Sequence, residues 1–168
     1  SRLMYAAQGL AKAGEAVTRI NSILAEEPLP QPDSPQVPTD ASIRFDHVTF
    51  AYPGARTPAV VDVSFDVPAG MTVALVGPSG GGKTTVAELV PRFHDVAAGR
   101  VLVGGVDVRD ISSEALMDQV AFVFQDTRLF HDTVGENIRA GRPGATQEQV
   151  RAAARAAQCE DILEKLPD

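Results

Sequence analysis

A single cysteine, Cys159, stands among 168 residues, so no disulfide can close within the chain. A reducing compartment is the natural reading, with Cys159 a small buried apolar residue. Basic residues are outnumbered: 15 Lys and Arg face 22 Asp and Glu, a net charge of −7. A general nucleic-acid binder needs a basic face, so this charge argues against one, and no nucleic-acid partner is expected. Phosphate ligands are not excluded, because backbone N–H groups and one lysine suffice to hold them. Also missing is any apolar run of about 18 residues, the length that crosses a bilayer. The N-terminal stretch is not expected to be a signal peptide, because Lys12, Glu15 and Arg19 interrupt its apolar residues. Ser1 is not a natural initiator, so the chain is expected to start inside a longer polypeptide or after processing. What is present, 44% hydrophobic and 22% charged residues, is ordinary for a soluble globular domain with a real core.

Residues 3–25 read as a helix, because Leu10, Ala13, Val17, Ile20 and Leu24 recur at a three-four spacing. Periodicity leaves two uses for that apolar face: packing on its own domain, or the cytoplasmic end of a membrane helix. Pro28, Pro30, Pro32, Pro35 and Pro38 follow, which excludes a helix and gives an extended, semi-rigid linker with a domain boundary near residue 40. Ile43, Phe45, Val48 and Phe50 predict a strand whose offset between 45 and 48 signals a bulge or twist. Val61, Val63, Phe65 and Val67 alternate with Asp62, Ser64 and Asp66, a second strand expected to pair antiparallel with the first. Met71 to Val76 and Val120 to Phe124 are continuous apolar runs, predicted to be strands buried on both faces. A helix is expected to follow the first of these runs and to continue through about Phe93. Val101–Val103 and Val106–Val108 flank Gly104-Gly105 as a hairpin would, and residues 113–119 read as a short helix. Thr133 with Glu136, and Thr146 with Gln149, have capping-box spacing ahead of two further helices. Ile162, Leu163 and Leu166 add an apolar patch near the end.

The chemistry sits between the first continuous apolar run and its helix. Gly77-Pro78-Ser79-Gly80-Gly81-Gly82-Lys83-Thr84 fits G-x-x-x-x-G-K-[ST]. Glycines let such a loop curl until successive N–H groups point at phosphate oxygens, and the helix dipole behind it adds to the pull. Lys83 would place its charge near the β and γ phosphates, and the Thr84 hydroxyl would coordinate Mg²⁺. At average residue usage the pattern arises by chance in well under about one in a hundred chains of this length. Kinases, GTPases, motors and transporter ATPases all carry this loop, so it does not choose among them.

Other segments do. From about residue 42 onward, the sequence resembles the nucleotide-binding domain of ATP-binding-cassette transporters. Val48-Thr49-Phe50-Ala51-Tyr52-Pro53 resembles that family's A-loop, which makes Tyr52 the expected adenine-stacking residue. Gly77 to Thr85 resembles its Walker A loop, so Gly77, Pro78, Ser79, Gly80, Gly81, Gly82, Lys83, Thr84 and Thr85 are the expected ATP-binding residues. Val123-Phe124-Gln125-Asp126 resembles the Q-loop, which gives Gln125 a place beside Mg²⁺ and the attacking water. Lys83 and Gln125 are thus the expected catalytic residues, and Thr84 and Gln125 the Mg²⁺ ligands. Leu129-Phe130 and Thr133-Val134-Gly135-Glu136-Asn137-Ile138 resemble the stretch that faces the coupling helices of exporters. Arg19 to Leu24, followed by Glu26-Glu27-Pro28, resembles the junction where an exporter's last membrane helix continues into the cytoplasm.

The resemblance implies an α/β fold with a P-loop parallel sheet core, an antiparallel β layer and the start of a helical subdomain. Residues 1–27 would be the end of a transmembrane domain, 28–41 a linker, and 42–168 the first part of the ATP-binding domain. Expected partners are the transmembrane domains of the same transporter and a second ATP-binding domain, at the cytoplasmic face of the inner membrane. The 168 residues contain no L-S-G-G-Q signature, no apolar strand ending in Asp-Glu after Gln125, and no switch histidine, since His47, His94 and His131 all come too early. The domain is therefore expected to be incomplete, with apolar sheet surface exposed, a tendency to associate, and no useful ATP turnover by these residues alone. Three other readings compete. A small-molecule kinase, with Arg139 and Arg142 in its lid, leaves the A-loop and Q-loop matches without a purpose. A soluble cassette ATPase of repair or translation would lack the exporter-like junction. A non-catalytic module would keep the fold without binding nucleotide.

Overall fold

The computed structural model describes residues 14–25 and 27–159, and these fall into two compact units, Ser1–Phe122 and Val123–Asp168. Within the first unit, residues 14–24 form helix α1, all of it exposed. Residues 3–13 of the predicted helix, and the Ile162–Leu166 patch, lie outside the described residues. No helix among the described residues is long and apolar enough to cross a membrane.

A four-stranded antiparallel sheet organises the first unit: β1 (Ile43–Phe50), β2 (Val60–Val67), β3 (Ala98–Val103) and β4 (Val106–Asp107), in the order β2-β1-β3-β4. Phe45, Val48 and Phe50 of β1 are buried. Between Phe45 and Val48 the register against β2 slips, as the sequence offset predicts. The slip has a local cause. His47 and Asp62 both adopt left-handed backbone, at φ 51° and 50°. Three hydrogen bonds hold them there: His47 N donates to Ser64 Oγ at 2.9 Å, Asp62 N donates to Thr49 Oγ1 at 3.0 Å, and His47 Nδ1 meets Asp62 Oδ1 at 2.7 Å. β3 follows the same distortion with Gly99, at φ 78°, where a Cβ would lie 2.2 Å from the His47 carbonyl oxygen. The kink at Asp62 also breaks the alternation expected of β2. Val60 enters the core at 5% exposure, while Val61 turns out to 64%.

β3 and β4 form the expected hairpin around Gly104-Gly105, pairing Leu102 with Asp107 and Val103 with Val106. Helix α2 (Lys83–Leu89) contributes Val86 and Leu89 to the core, and helix α3 (Ser113–Gln119) contributes Leu116. α2 ends four residues short of the Phe93 predicted from sequence. Its exit is set by Arg92, a buried arginine at φ 55° whose guanidinium grips Asp95 and donates to the Pro30 carbonyl at 2.9 Å. The proline-rich stretch is extended, as proline geometry requires, but it is not a free spacer. Gln31 Nε2 donates to Ser113 Oγ while Ser113 N donates to Gln31 Oε1, and Gln36 N donates to the Asp110 carbonyl.

Two expectations fail. Residues 71–76 and 120–124 are not strands, and the parallel core they were to form is not part of the sheet among the described residues. Val73, Leu75 and Val76 are 50%, 43% and 89% exposed, and Val123 is 87%. A strand buried on both faces forms only when a neighbour supplies backbone partners on each side. The apolar strand ending in Asp-Glu that the resemblance places beside Met71–Val76 is not among these 168 residues. A cavity of about 250 Å³ stays open between Phe45, Phe65, Leu75 and Val86. Cys159 likewise departs from expectation: it is only half-buried, three residues beyond the helix Gln147–Ala156.

Among its described residues, the second unit holds two helices, α4 (Val134–Arg139) and α5 (Gln147–Ala156). Thr146 and Gln149 complete a capping box, whereas Thr133 caps α4 by its hydroxyl alone. Arg139 is committed to the turn between them, bonding Glu136, the Ala145 carbonyl and Gln147 Oε1. Three of its five N–H donors are thereby spent within this turn.

One ion pair in the first unit predicts a pH response. Burial pushes the Asp107 carboxyl up, but hydrogen bonds from the Arg109 guanidinium and backbone outweigh it and hold the group below its ordinary value of 3.8. A depressed carboxylate stabilises the fold above its unfolded pKa, and that contribution is lost as pH falls through the folded one. Stability measured by denaturant titration should therefore drop below about pH 4, and Asp107→Asn should flatten that acid limb while lowering stability near neutrality.

Candidate functional site

The glycine-rich loop joins residue 76 to α2. Gly80 and Gly82 sit at φ 76° and 79°, backbone that L side chains rarely adopt, and Gly81 N donates back to the Pro78 carbonyl at 3.2 Å. The loop is thus turned rather than extended, with a helix directly behind it. Gly82 also approaches the sheet so closely that a Cβ would lie 2.7 Å from the Ala59 carbonyl oxygen. Lys83 opens α2 and folds its side chain back over the loop. Its Nζ donates to the carbonyls of Gly77 at 3.0 Å and Pro78 at 2.6 Å. A cation is therefore already stationed at the loop's mouth, on partners that an anion can replace. Residues 77–81 are exposed, as is Thr84, while Thr85 is buried at 6%.

Tyr52 ends β1's continuation beside this helix. Its ring meets Phe50 edge-on at 4.9 Å and His94 at 5.3 Å. Its hydroxyl lies 3.0 Å from Thr85 Oγ1 and donates to Glu88 Oε2 at 3.0 Å. The structure thus brings Tyr52, Gly82, Lys83, Thr84 and Thr85 together around the N-terminal half of α2 and its loop. Gln125 belongs to the second unit, where it is exposed in a bend. Glu88 and His94 are the residues that sequence reading missed. Glu88 was legible in principle, because it lies three residues after Thr85 and so shares its face of α2.

Among the described residues, no three His, Cys, Asp or Glu side chains gather as a metal site. The donors near the loop are neutral hydroxyls, which suits a divalent cation that arrives with phosphate oxygens rather than one caged by the protein.

Comparison with known proteins agrees with this geometry. The family described as ABC transporter matches residues 60–168. The mycobactin import ATP-binding/permease protein IrtA of Mycobacterium tuberculosis is 43% identical over 99% of this chain and 20% of its own length. An ATP-dependent lipid A-core flippase of Chromobacterium violaceum is 40% identical over 99% of the chain and 29% of its own. A solved bacterial Atm1-family ABC exporter with ATP bound superposes with a TM-score of 0.78 at 38% identity, covering 95% of this chain and 28% of that one. The chain therefore spans between a fifth and a third of the proteins it matches. With its turned glycine loop, its stationed lysine and these matches, the chain belongs to the ABC transporter family and carries part of its ATP-binding domain.

Proposed function

We propose that this chain binds ATP through the loop Gly77–Thr85, as part of a transporter that couples ATP binding and hydrolysis to movement of a solute across a membrane. The observation that carries the reading is the curled loop with Lys83 Nζ held at its mouth by two backbone carbonyls. A triphosphate offers that ammonium better partners than carbonyls, because charge-assisted hydrogen bonds are about twice as strong as neutral ones. Loop amides would take the remaining phosphate oxygens, and Tyr52 would stack on the base. Mg²⁺, when bound with the nucleotide, would neutralise charge on the β and γ oxygens, with the Thr84 hydroxyl and the Gln125 amide as its protein ligands. Gln125 would also orient the attacking water.

The wider reading rests on the relatives, which are named as ATP-binding/permease proteins, a flippase and an exporter. Residues 1–27 would then continue a membrane helix of the same polypeptide, and 28–41 would strap that helix to the ATP-binding part. The partners would be the transporter's own membrane domains and a second ATP-binding domain, at the cytoplasmic face of the inner membrane.

Calorimetric titration with Mg-ATP tests the core of this proposal. Saturable binding at one site per chain supports it, and no binding by a folded chain refutes it. Turnover is a separate matter. Hydrolysis needs a group to polarise the water, and the carboxylate that the family places after an apolar strand beyond Gln125 is not among these residues. Phosphate release by the 168-residue chain should therefore stay at the level of a Lys83→Ala control; clear excess over that control would contradict the assignment of roles.

A further inference from the structure

Tyr52 is a half-open aromatic at the end of a strand, followed by a turn at Pro53-Gly54. Such a side chain would keep rotamer freedom if only its ring were held, and ordering it on ligand binding would cost affinity. Its ring touches Phe50 and His94, both nearly edge-on, which restrains the ring without fixing its hydroxyl end. That end is fixed by α2. Tyr52 Oη donates to Glu88 Oε2 at 3.0 Å and shares a hydrogen bond with Thr85 Oγ1, also at 3.0 Å. Thr85 is buried, so its hydroxyl has few alternatives. Because Lys83, Thr85 and Glu88 stand on the same short helix, the aromatic ring and the phosphate loop are referred to one rigid element.

We propose that Glu88 is a positioning residue: its carboxylate holds Tyr52 by the hydroxyl, so that the base platform is formed before nucleotide arrives and stands at a set distance from the phosphate loop. The inference rests on the reading of Tyr52 as the residue that stacks on the base. It gives Glu88 a role in recognising the base and none in recognising the phosphates.

That division makes the test. Affinities of wild type and variants are measured for Mg-ATP and, in parallel, for inorganic triphosphate, which has no base. Glu88→Ala removes the acceptor and should weaken ATP binding roughly threefold to tenfold, the net worth of one hydrogen bond, with triphosphate binding unchanged once charge is allowed for. Charge is controlled by Glu88→Gln, which is equally neutral but keeps a carbonyl oxygen; it should bind ATP roughly threefold to tenfold more tightly than Glu88→Ala and triphosphate as Glu88→Ala does. Tyr52→Phe keeps the ring and loses the hydroxyl, so it should reproduce Glu88→Ala, and combining the two should add nothing. Equal ATP affinity in Glu88→Ala and Glu88→Gln overturns the proposal, and so does an equal loss for both ligands. Wild type that binds triphosphate as tightly as ATP overturns the base-platform reading and the role of Glu88 together. Wild type that binds neither ligand refutes the broader assignment of ATP binding, a result distinct from the others.

Discussion

Lys83→Ala should lower the affinity of this chain for Mg-ATP by about a hundredfold, the upper range for one charge-assisted hydrogen bond lost at a site of concentrated negative charge. The geometry explains why the loss should be large and why it should leave the fold intact. In the structure the ammonium bonds the Gly77 and Pro78 carbonyls across the loop. Those residues are exposed, so water can satisfy both carbonyls when the lysine is removed. Nothing in the core of the first unit depends on them. The melting temperature should accordingly change little, and the affinity loss should be visible by calorimetry. Lys83→Arg should rescue only in part, because a planar guanidinium on a longer stem cannot occupy the same point between two carbonyls. A Lys83→Ala chain that binds ATP like wild type would remove the lysine from the site.

The largest effect on stability is expected at Phe45. It is 2% exposed and stacks on Phe65 with ring centroids 4.6 Å apart and planes 11° from parallel. It also sits one step before the bulge, where β1 must keep register with both β2 and β3. Phe45→Ala should cost about 3–5 kcal/mol, from lost transfer free energy and the void left behind. The existing cavity beside Phe45 argues for the upper part of that range, since the ring also walls off space that is already poorly filled. Against a typical total of about 5–15 kcal/mol, such a loss brings the domain close to unfolding at ordinary temperature. Phe65→Ala should cost less, because Phe65 is only half-buried. Urea titration of the two variants gives the comparison, and equal losses would mean that the stack, rather than burial, sets the energy.

The elements legible in the sequence are those whose cause is local. The offset of Phe45 and Val48 announces the bulge, Gly104-Gly105 announces the hairpin, and Thr146 with Gln149 announces a cap that forms as written. The glycine loop was readable for the same reason: left-handed backbone at residues 80 and 82 calls for glycine, and a helix follows. What was not legible depends on partners elsewhere. The run Val73-Ala74-Leu75-Val76 has the composition of a doubly buried strand, but composition states a preference and cannot supply neighbours. Val61 alternates with Asp62 in the sequence as Val63 and Phe65 do with their neighbours, yet it turns outward, because nothing in its own residue type reveals that Asp62 is left-handed. The proline-rich stretch reads as a spacer, yet Gln31 and Arg92 tie it down through bonds spanning 82 and 62 residues. The place of Glu88 on the Thr85 face of its helix is local and legible, but its bond to Tyr52, 36 residues away, is not.

The measurement that bears most directly on the whole account is amide hydrogen exchange of the 168-residue chain with and without Mg-ATP. Slowed exchange concentrated in the amides from residue 79 to residue 85, with smaller protection at Tyr52, is the predicted outcome. Binding of ATP that leaves those amides exchanging as before would contradict it, because the phosphates would then be held somewhere other than the loop.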